Sequence, residues 1–223
     1  MPTVFISAND TGVGKTWVSA AIARMLAGQG ASVQKIKPVE TGIAPGGAGD
    51  AEFVAQALHC KETLPGKATV HTLQRYTKPM APVEAAQADG EELSFDALVQ
   101  GVLEMTVADW RIVEGAGGLS VPLESGPAPR DWADFALAIQ ADYVVLVVGD
   151  RLGAINQARL LAHYANAKGL HAGWWLNESQ LGTSDEVRLV NENVLSELAF
   201  PLWALQDFEM PLPRKLEAPW LKQ

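Results

Sequence analysis

The segment Asp10–Thr16 combines the residue types that bind a phosphate chain. It reads Asp-Thr-Gly-Val-Gly-Lys-Thr, and it lies between an apolar strand-like run, Val4–Ile6, and a helical pattern that begins at Thr16. Glycines at such a turn let backbone N–H groups approach phosphate oxygens, and the helix N-terminus adds its positive dipole end. We expect Lys15 to reach the β- and γ-phosphates and the Thr16 hydroxyl to bind Mg²⁺. The alternative is a glycine-rich turn without a ligand, because the general pattern has a glycine where this chain has Asn9.

Two lysines lie near the end of the second predicted strand, Ser32–Val39. Ligands of open α/β sheets bind at the carboxyl ends of the strands, so we expect Lys37 to meet a phosphate or a carboxylate there. Lys35 has the same side-chain parity but lies further back along the strand. The glycine-rich stretch Gly42–Gly49 that follows is interpreted as an active-site loop. The alternative for Lys37 is a solvated surface lysine.

Two carboxylates are candidates for a metal site. Glu114 closes a short predicted strand, Arg111–Val113, and glycines follow it. A carboxylate at a strand edge beside a phosphate-binding loop is well placed for Mg²⁺, and the alternative is a tight turn with an incidental glutamate. Asp50 begins the predicted helix Asp50–Leu58 and is a candidate for a second Mg²⁺ carboxylate. Its alternative role is to cap the N-terminus of that helix.

Short strand-like runs alternate with longer helical patterns along the whole chain. The clearest central strand is Tyr143–Val148, which is apolar without alternation, as burial on both faces requires. The alternation predicts an α/β fold: a three-layer parallel sheet of the P-loop nucleotide-binding type with helices on both faces. We expect residues 1–223 to form one such domain. The other predicted elements are the helices Thr16–Gln29, Phe95–Met105, Ala154–Ala167 and Asp185–Leu198 and the strands His171–Leu176 and Leu202–Leu205.

The composition limits the possible partners. Lys and Arg number 17 against 26 Asp and Glu, which gives a net charge of -9. Such a chain repels nucleic acid and anionic membranes, so we expect neither as a partner. The longest apolar runs are too short to span a membrane, and the start has no basic leader. The single cysteine, Cys60, suits a reducing compartment and a packing role, so we expect a cytoplasmic protein.

Taken together, the motifs resemble dethiobiotin synthetase, an ATP-dependent enzyme of biotin synthesis. The order and spacing of the matching segments follow that family from residue 3 to about residue 180. The Glu-Gly-Ala-Gly-Gly segment at Glu114, combined with the phosphate-binding loop, is the most specific part of the resemblance. The matching segments are Asp10–Thr16, Lys37–Val39 with Thr41–Gly42, Val113–Gly118 with Val121–Leu123, Arg151–Asn156 and Gly173–Asn177.

The resemblance implies a ligase reaction on small molecules. Its substrates are 7,8-diaminononanoate, carbon dioxide and MgATP. One amine forms a carbamate with carbon dioxide, and the carbamate attacks the γ-phosphate to give a carbamic–phosphoric anhydride. The second amine then closes the ureido ring, and the products include ADP and phosphate.

The resemblance also implies roles for individual residues around the nucleotide. Lys15, Lys37 and Thr11 correspond to catalytic groups that stabilise the transferring phosphoryl group and the carbamate. The Mg²⁺ ligands it implies are Thr16, Asp50 and Glu114. The nucleotide-binding residues it implies are Gly12, Val13, Gly14, Lys15, Thr16 and, as the purine contact, Asn177.

On the substrate side, the resemblance implies a homodimer with sites at the interface. Thr41 and Gly117 correspond to substrate contacts within one subunit. The turn that opens the helix Ala154–Ala167 would meet the substrate held by the other subunit. The residues of that turn implied to bind substrate are Leu152, Gly153 and Asn156.

A nucleotide-switched partition or positioning ATPase of the related P-loop branch is the alternative function. That branch carries a lysine near the start of its phosphate-binding loop, which reaches across a dimer. This chain has Asp10 at the equivalent position. The missing lysine and the net negative charge both favour the synthetase.

Overall fold

The computed structural model describes residues 1–59, 66–105 and 108–221, and Cys60 lies outside these ranges. The strands of the described residues are β1 (Thr3–Ala8), β2 (Val33–Thr41), β3 (Ala68–Tyr76), β4 (Trp110–Glu114), β5 (Tyr143–Gly149), β6 (Ala172–Asn177), β7 (Leu202–Gln206) and β8 (Lys215–Leu216). The helices are α1 (Lys15–Gly28), α2 (Asp50–His59), α3 (Pro82–Ala88), α4 (Phe95–Leu103), α5 (Trp132–Ala138), α6 (Ala154–Ala167) and α7 (Asp185–Glu197), and a short 3₁₀ turn covers Pro219–Leu221.

The eight described strands form one sheet in the order β3-β2-β4-β1-β5-β6-β7-β8. Every neighbouring pair is parallel except β7 with β8. Strand β1 lies in the middle: Val4 pairs with Ile112 of β4 on one side and with Tyr143 of β5 on the other. The chain order reverses at β1, and such a switch point opens a crevice at the carboxyl ends of the strands.

Apolar residues cover both faces of the sheet. Successive residues of a strand point to opposite faces, so Phe5 joins one core while Val4 and Ile6 join the other. The core around Phe5 includes residues of α3, α4, α5, α6 and α7, whereas the core around Val4 includes residues of α1 and α2. The structure therefore confirms the α/β class, with a largely parallel sheet and helices on both faces. None of the helices in the described ranges is long and apolar enough to cross a membrane.

Several elements differ from the sequence prediction. Strand β2 extends through Thr41, so Glu40 and Thr41 belong to the strand and not to the following loop. Strand β3 was missed because it lies at the edge of the sheet and mixes polar with apolar side chains, most of them half-buried. The short helices α3 and α5 were also missed. Helix α5 is only seven residues long, and Asp131 caps it by accepting backbone N–H groups from Ala133 and Asp134.

Candidate active site

The segment between β1 and α1 forms a tight phosphate-binding loop. Gly14 is the N-cap of α1, with φ 98°, and Gly12 has φ 74°. A Cβ atom on Gly14 would lie 2.1 Å from Asn177 Nδ2, so both the backbone angle and the space require glycine there. Asn177, at the end of β6, donates from Nδ2 to the Val13 carbonyl oxygen at 2.8 Å. This hydrogen bond ties the loop after β1 to the end of β6, which is separated from β1 in the sheet by β5.

Lys15 lies inside this loop. Its side chain folds back, and Nζ donates to the Asp10 carbonyl oxygen at 2.9 Å. Burial, reinforced by the neighbouring charge of Lys37, lowers the pKa of Lys15 from 10.5 to about 8. Glu114, Asp50 and Asp10 therefore compensate the ammonium charge only in part, and an incoming anion would complete the compensation.

Glu114 is the carboxylate that joins the other charges of the site. It ends β4, its side chain is fully buried, and Thr16 and Ser19 of α1 donate hydroxyl hydrogen bonds to its two oxygens at 2.9 and 2.8 Å. Lys37 Nζ lies 2.6 Å from Oε1, and Lys35 Nζ lies 3.0 Å from Oε2. Burial alone would raise the pKa of Glu114, but Lys35 and Lys37 outweigh it and hold that pKa well below its usual range. Glu114 is therefore ionised at neutral pH.

Lys37 stands between two carboxylates. Its Nζ donates to Glu114 Oε1 at 2.6 Å and to Asp50 Oδ2 at 2.5 Å. Although burial opposes the charge, Glu114 and Asp50 together raise the pKa of Lys37 above its ordinary value. Lys37 is thus a fixed cation at neutral pH, and the interpretation of it as a freely solvated lysine is wrong.

A second set of charges holds the start of α2, which carries Asp50. Glu40 accepts the Asp50 backbone N–H, and Glu52 accepts the Gly49 N–H at 2.8 Å. Arg75 of β3 joins the two glutamates: Nε lies 3.2 Å from Glu40 Oε2, and Nη2 lies 2.7 Å from Glu52 Oε1. Asp50 is therefore the first residue of α2 and a partner of Lys37. Its expected roles as a Mg²⁺ ligand and as the cap of this helix stay predictions.

These groups surround a cavity of ≈ 360 Å³ at the carboxyl end of the sheet. The structure brings together most of the residues singled out from the sequence, on β2, β4, α1, α2 and the two glycine-rich loops. The predicted residues that line the cavity are Thr11, Gly12, Gly14, Lys15, Thr16, Lys37, Thr41, Asp50, Glu114 and Gly117. We call this space the phosphate cavity.

A smaller cavity of ≈ 130 Å³ adjoins the first one. The two share Gly12, Gly14 and Trp17 in their walls. Asn177 lines only the smaller one, together with the loops that follow β6 and β7. A ligand that extends from the phosphate cavity past Gly14 would enter this second space, which we call the side cavity.

Three predicted residues lie outside both the phosphate-binding loop and the two cavities. Leu152, Gly153 and Asn156 form the start of α6 and do not line the phosphate cavity of their own chain. Gly153 is the N-cap, with φ 95°, and the Leu152 side chain is 86% exposed. An exposed leucine at such a turn is available to another molecule.

Four residues of the site were missed from the sequence. The position of Lys35 could have been predicted, because it lies two residues before Lys37 and so points to the same face of β2. Ser19 could have been predicted as well, because it lies one helical turn after Thr16. Trp17 directly follows the loop and lines both cavities. Nothing in the sequence separates Glu40 from a surface glutamate, because its burial depends on Arg75 and on the path of the loop before α2.

The central parallel sheet, the glycine-rich loop at its switch point and the buried lysine define a P-loop nucleotide-binding protein. The family model described as an AAA domain matches residues 2–174. The ATP-dependent dethiobiotin synthetase BioD of Xanthomonas axonopodis pv. citri (strain 306) is 35% identical over 207 residues, covering 91% of this chain and 89% of the relative. The enzyme of the same name from Nitrosospira multiformis is 38% identical, covering 86% and 80%. The chain belongs to the dethiobiotin synthetase family.

Solved structures share the fold at low sequence identity. The signal recognition particle receptor FtsY of Elizabethkingia anophelis matches with TM-score 0.56 and 15% identity, over 97% of this chain and 60% of that one. A chain of the MinC:MinD cell division protein complex of Aquifex aeolicus matches with TM-score 0.52 and 14% identity, over 92% of this chain and 80% of that one. These matches show the P-loop fold alone, and the curated relatives favour the synthetase over the positioning ATPase.

Proposed function

We propose that this chain is an ATP-dependent dethiobiotin synthetase that closes a ureido ring from 7,8-diaminononanoate and carbon dioxide. The observation that carries the proposal is the position of Lys37, held by Glu114 and Asp50 in the wall of a cavity that begins at a phosphate-binding loop. The family membership supplies the substrates, and the charges in the cavity suit the phosphoryl transfer between them.

The nucleotide would lie across the two cavities. The N–H groups of Gly12–Thr16 and the start of α1 would bind the phosphates, because a helix N-terminus and a glycine-rich turn both favour anions. Lys15 would become fully charged against the β- and γ-phosphates. The nucleoside would then extend past Gly14 into the side cavity, where Asn177 lies.

The residues present also fit Mg²⁺. Thr16 Oγ1, Asp50 and Glu114 supply a hydroxyl and two carboxylates, which are the hard oxygen donors that Mg²⁺ prefers alongside substrate phosphates. Among the residues that the structure describes, no three His, Cys, Asp or Glu side chains cluster as a metal site. When bound, Mg²⁺ would offset the negative charge of the phosphates.

The chain's own cations would act on the substrates. One amine adds to carbon dioxide and loses a proton, which gives a carbamate whose negative oxygen Lys37 would hold. That oxygen forms a bond to the γ-phosphorus as the bond to the bridging oxygen breaks, and Lys15 and Thr11 would stabilise the charge on the transferring group. The second amine then attacks the carbamoyl carbon, loses a proton and expels phosphate. Thr41 and Gly117 line the wall where the diamine would lie.

We further propose a homodimer of single-domain subunits that acts in the cytoplasm. Leu152, Gly153 and Asn156 do not line the phosphate cavity of their own chain, so they would contact the substrate held by a second copy. The N–H groups at the start of α6 suit a substrate carboxylate. The single cysteine supports the compartment, and the one continuous sheet supports one domain.

The test supplies purified protein with ATP, Mg²⁺, the diamine and carbon dioxide, and identifies the product by mass. Dethiobiotin should form only when all components are present, together with ADP and phosphate. The Lys37→Ala variant should lose turnover while it retains nucleotide binding. Lys168→Ala removes a lysine paired with Asp134 on another part of the surface and serves as the matched control. No product from the complete mixture would refute the proposed function, and full turnover of Lys37→Ala would remove Lys37 from the mechanism.

A further inference from the structure

One arginine of α7 contacts three segments at the carboxyl end of the sheet. Arg188 Nε lies 3.1 Å from Asp150, which follows β5, and Nη1 lies 3.4 Å from Glu178, which follows β6. Its Nη2 donates to Asp207, which follows β7. Only 17% of the Arg188 side chain is exposed. A guanidinium presents several donors in a fixed plane, so one residue can hold three carboxylates at set positions.

Two of these three carboxylates belong to the wall of the side cavity. Glu178 and Asp207 line it together with Asn177 and Phe208. Glu178 also accepts the Phe208 backbone N–H at 3.1 Å, which joins the loop after β6 to the loop after β7. Arg188 itself is not part of the lining. Arg188 therefore influences this cavity indirectly, through Glu178 and Asp207, which line it.

The third carboxylate connects the same arginine to the start of α6. Asn191, one turn after Arg188, donates to Asp150 at 2.9 Å and to the Arg151 carbonyl oxygen at 3.1 Å. The Asp150 N–H donates in turn to the Asn177 carbonyl oxygen at 2.8 Å. Arg188 and Asn191 thus tie the wall of the side cavity to the segment that leads into α6.

Without Arg188, these acidic side chains would repel one another. Asp207 keeps Arg214, whose Nε lies 3.1 Å away, but this arginine reaches Glu192 and not Asp150 or Glu178. Like charges brought together in a partly buried place are unfavourable, so the loops would separate. The shape of the side cavity therefore depends on a residue that does not touch its contents.

We propose that Arg188 is a positioning residue that fixes the walls of the side cavity and thereby gives the site its affinity for the nucleoside part of a nucleotide. The inference rests on the proposed function only in placing the phosphates at Lys15 and the nucleoside beside Asn177. Since the triphosphate binds in the other cavity, Arg188 contributes to the binding of ATP but not to the binding of a bare triphosphate chain.

The experiment measures the dissociation constants of ATP and of inorganic tripolyphosphate by calorimetry, for the wild type and for Arg188→Met. We expect Arg188→Met to weaken ATP binding by about tenfold, the usual scale for losing a partly buried coupled interaction, and to leave tripolyphosphate binding unchanged. Arg188→Lys keeps the charge but not the planar guanidinium. Its affinity for ATP should lie between those of the wild type and Arg188→Met. Arg130→Met removes another arginine that bridges two carboxylates, away from both cavities, and should leave both constants unchanged.

Circular dichroism and thermal unfolding show whether each variant is folded. If Arg188→Met does not fold, Asp150→Asn provides the second variant, because Asp150 lies outside both cavity walls. It should weaken ATP binding in the same direction, by less. The inference is overturned if a folded Arg188 or Asp150 variant has the same ratio of dissociation constants for ATP and tripolyphosphate as the wild type. A wild type that binds ATP but forms no dethiobiotin would contradict the proposed function and leave this inference standing.

Discussion

Two charge clusters in this molecule both pair basic side chains with carboxylates, but they lie in opposite surroundings. In the site cluster, Glu114 and Lys35 have fully buried side chains, and Lys37 is 6% exposed. The second cluster, which we call the rim cluster, consists of Arg130, Asp96 and Glu124 near the surface. Arg130 bridges Asp96 at 2.7 Å and Glu124 at 2.8 Å, and its side chain is 43% exposed. Arg130 also stacks over the Phe95 ring at 4.0 Å.

We expect burial, more than the length of an ion pair, to decide its energetic importance. In the rim cluster water solvates either partner when the other is removed, so such pairs contribute little to stability. In the site cluster, removing one partner leaves an uncompensated charge where water cannot reach it. A buried ion pair is weak evidence for stability in itself, so we attribute the site cluster to the need for fixed charges beside a phosphate chain.

Glu114→Gln should have the largest effect. The substitution keeps the size of the side chain but leaves Lys35 and Lys37 without their shared carboxylate. We expect a loss of roughly 3–5 kcal/mol in the free energy of unfolding, the usual cost of breaking a buried pair. Urea denaturation at pH 7 measures it. Adding Lys35→Met should restore part of the loss, since Lys37 keeps Asp50 while Lys35 loses its carboxylate partner. No recovery would show that the cluster is not held by charge.

Gly14→Ala should have the next largest effect. A methyl group at this position meets Asn177 Nδ2 at 2.1 Å in addition to the strain of φ 98°. Gly126, in the loop that precedes Arg130, has φ 130° but no heavy atom within 4 Å of an added Cβ, so Gly126→Ala shares the strain without the collision. We expect about 1–3 kcal/mol of destabilisation from strain in either variant. Loss of ATP binding should occur in Gly14→Ala alone, and equal ATP affinities would contradict the close approach.

Nucleotide affinity should fall above pH 8. The pKa of Lys15 is lowered from 10.5 to about 8, so the free protein loses this proton as the pH rises through 8, whereas bound phosphate favours the charged form. Binding must then take up a proton, and the affinity should decrease by about tenfold per pH unit until the bound-state pKa is reached. Calorimetry from pH 7.5 to 9.5 in buffers of different ionisation enthalpy measures this uptake. A flat affinity without proton uptake would refute the lowered pKa.

The lowered pKa of Lys15 also predicts how the free energy of unfolding depends on pH. Between pH 8 and 10.5 the unfolded chain keeps the Lys15 proton that the folded chain has lost. Stability rises with pH wherever the unfolded state binds more protons, so the contribution of Lys15 should increase through this window. The difference between wild type and Lys15→Met in urea denaturation, followed from pH 7.5 to 10, measures this contribution. A difference that does not change with pH would contradict it.

Glu124→Gln should have the smallest effect. It removes the better-placed partner of Arg130, but Arg130 remains exposed and keeps Asp96. We expect the urea midpoint to change far less than it does in Glu114→Gln, and the small change to disappear at high salt, because salt screens exposed charges. A loss as large as that of Glu114→Gln would mean that burial is not what separates the two clusters.

Much of the fold was predictable because its signals are local. The apolar run of β5, the glycine-rich loop before α1 and the periodicity of α6 each follow from neighbouring residues. Strand β3 and helix α5 were not predictable in this way. The first is a mixed edge strand, and the second is a seven-residue helix, too short for a helical period to stand out in the sequence. In the site, residue type and position identified Lys15, Lys37 and Glu114, but not Glu40 or Arg188, which act through residues distant in sequence.

The sequence by itself determined the α/β class, the phosphate-binding loop and the chemical types of the main site residues. These depend on residue periodicity, backbone freedom at glycine and the fixed offset between Gly14, Lys15 and Thr16. Only the tertiary structure decided that Lys35 shares Glu114 with Lys37, that Arg75 holds the start of α2, and that Arg188 joins three loops. Lys35 and Glu114 meet because β2 and β4 are adjacent in the sheet although β3 lies between them in the chain. Arg75 and Arg188 meet their partners because the folded chain brings a strand end or a helix beside separate loops, and no local sequence pattern specifies this.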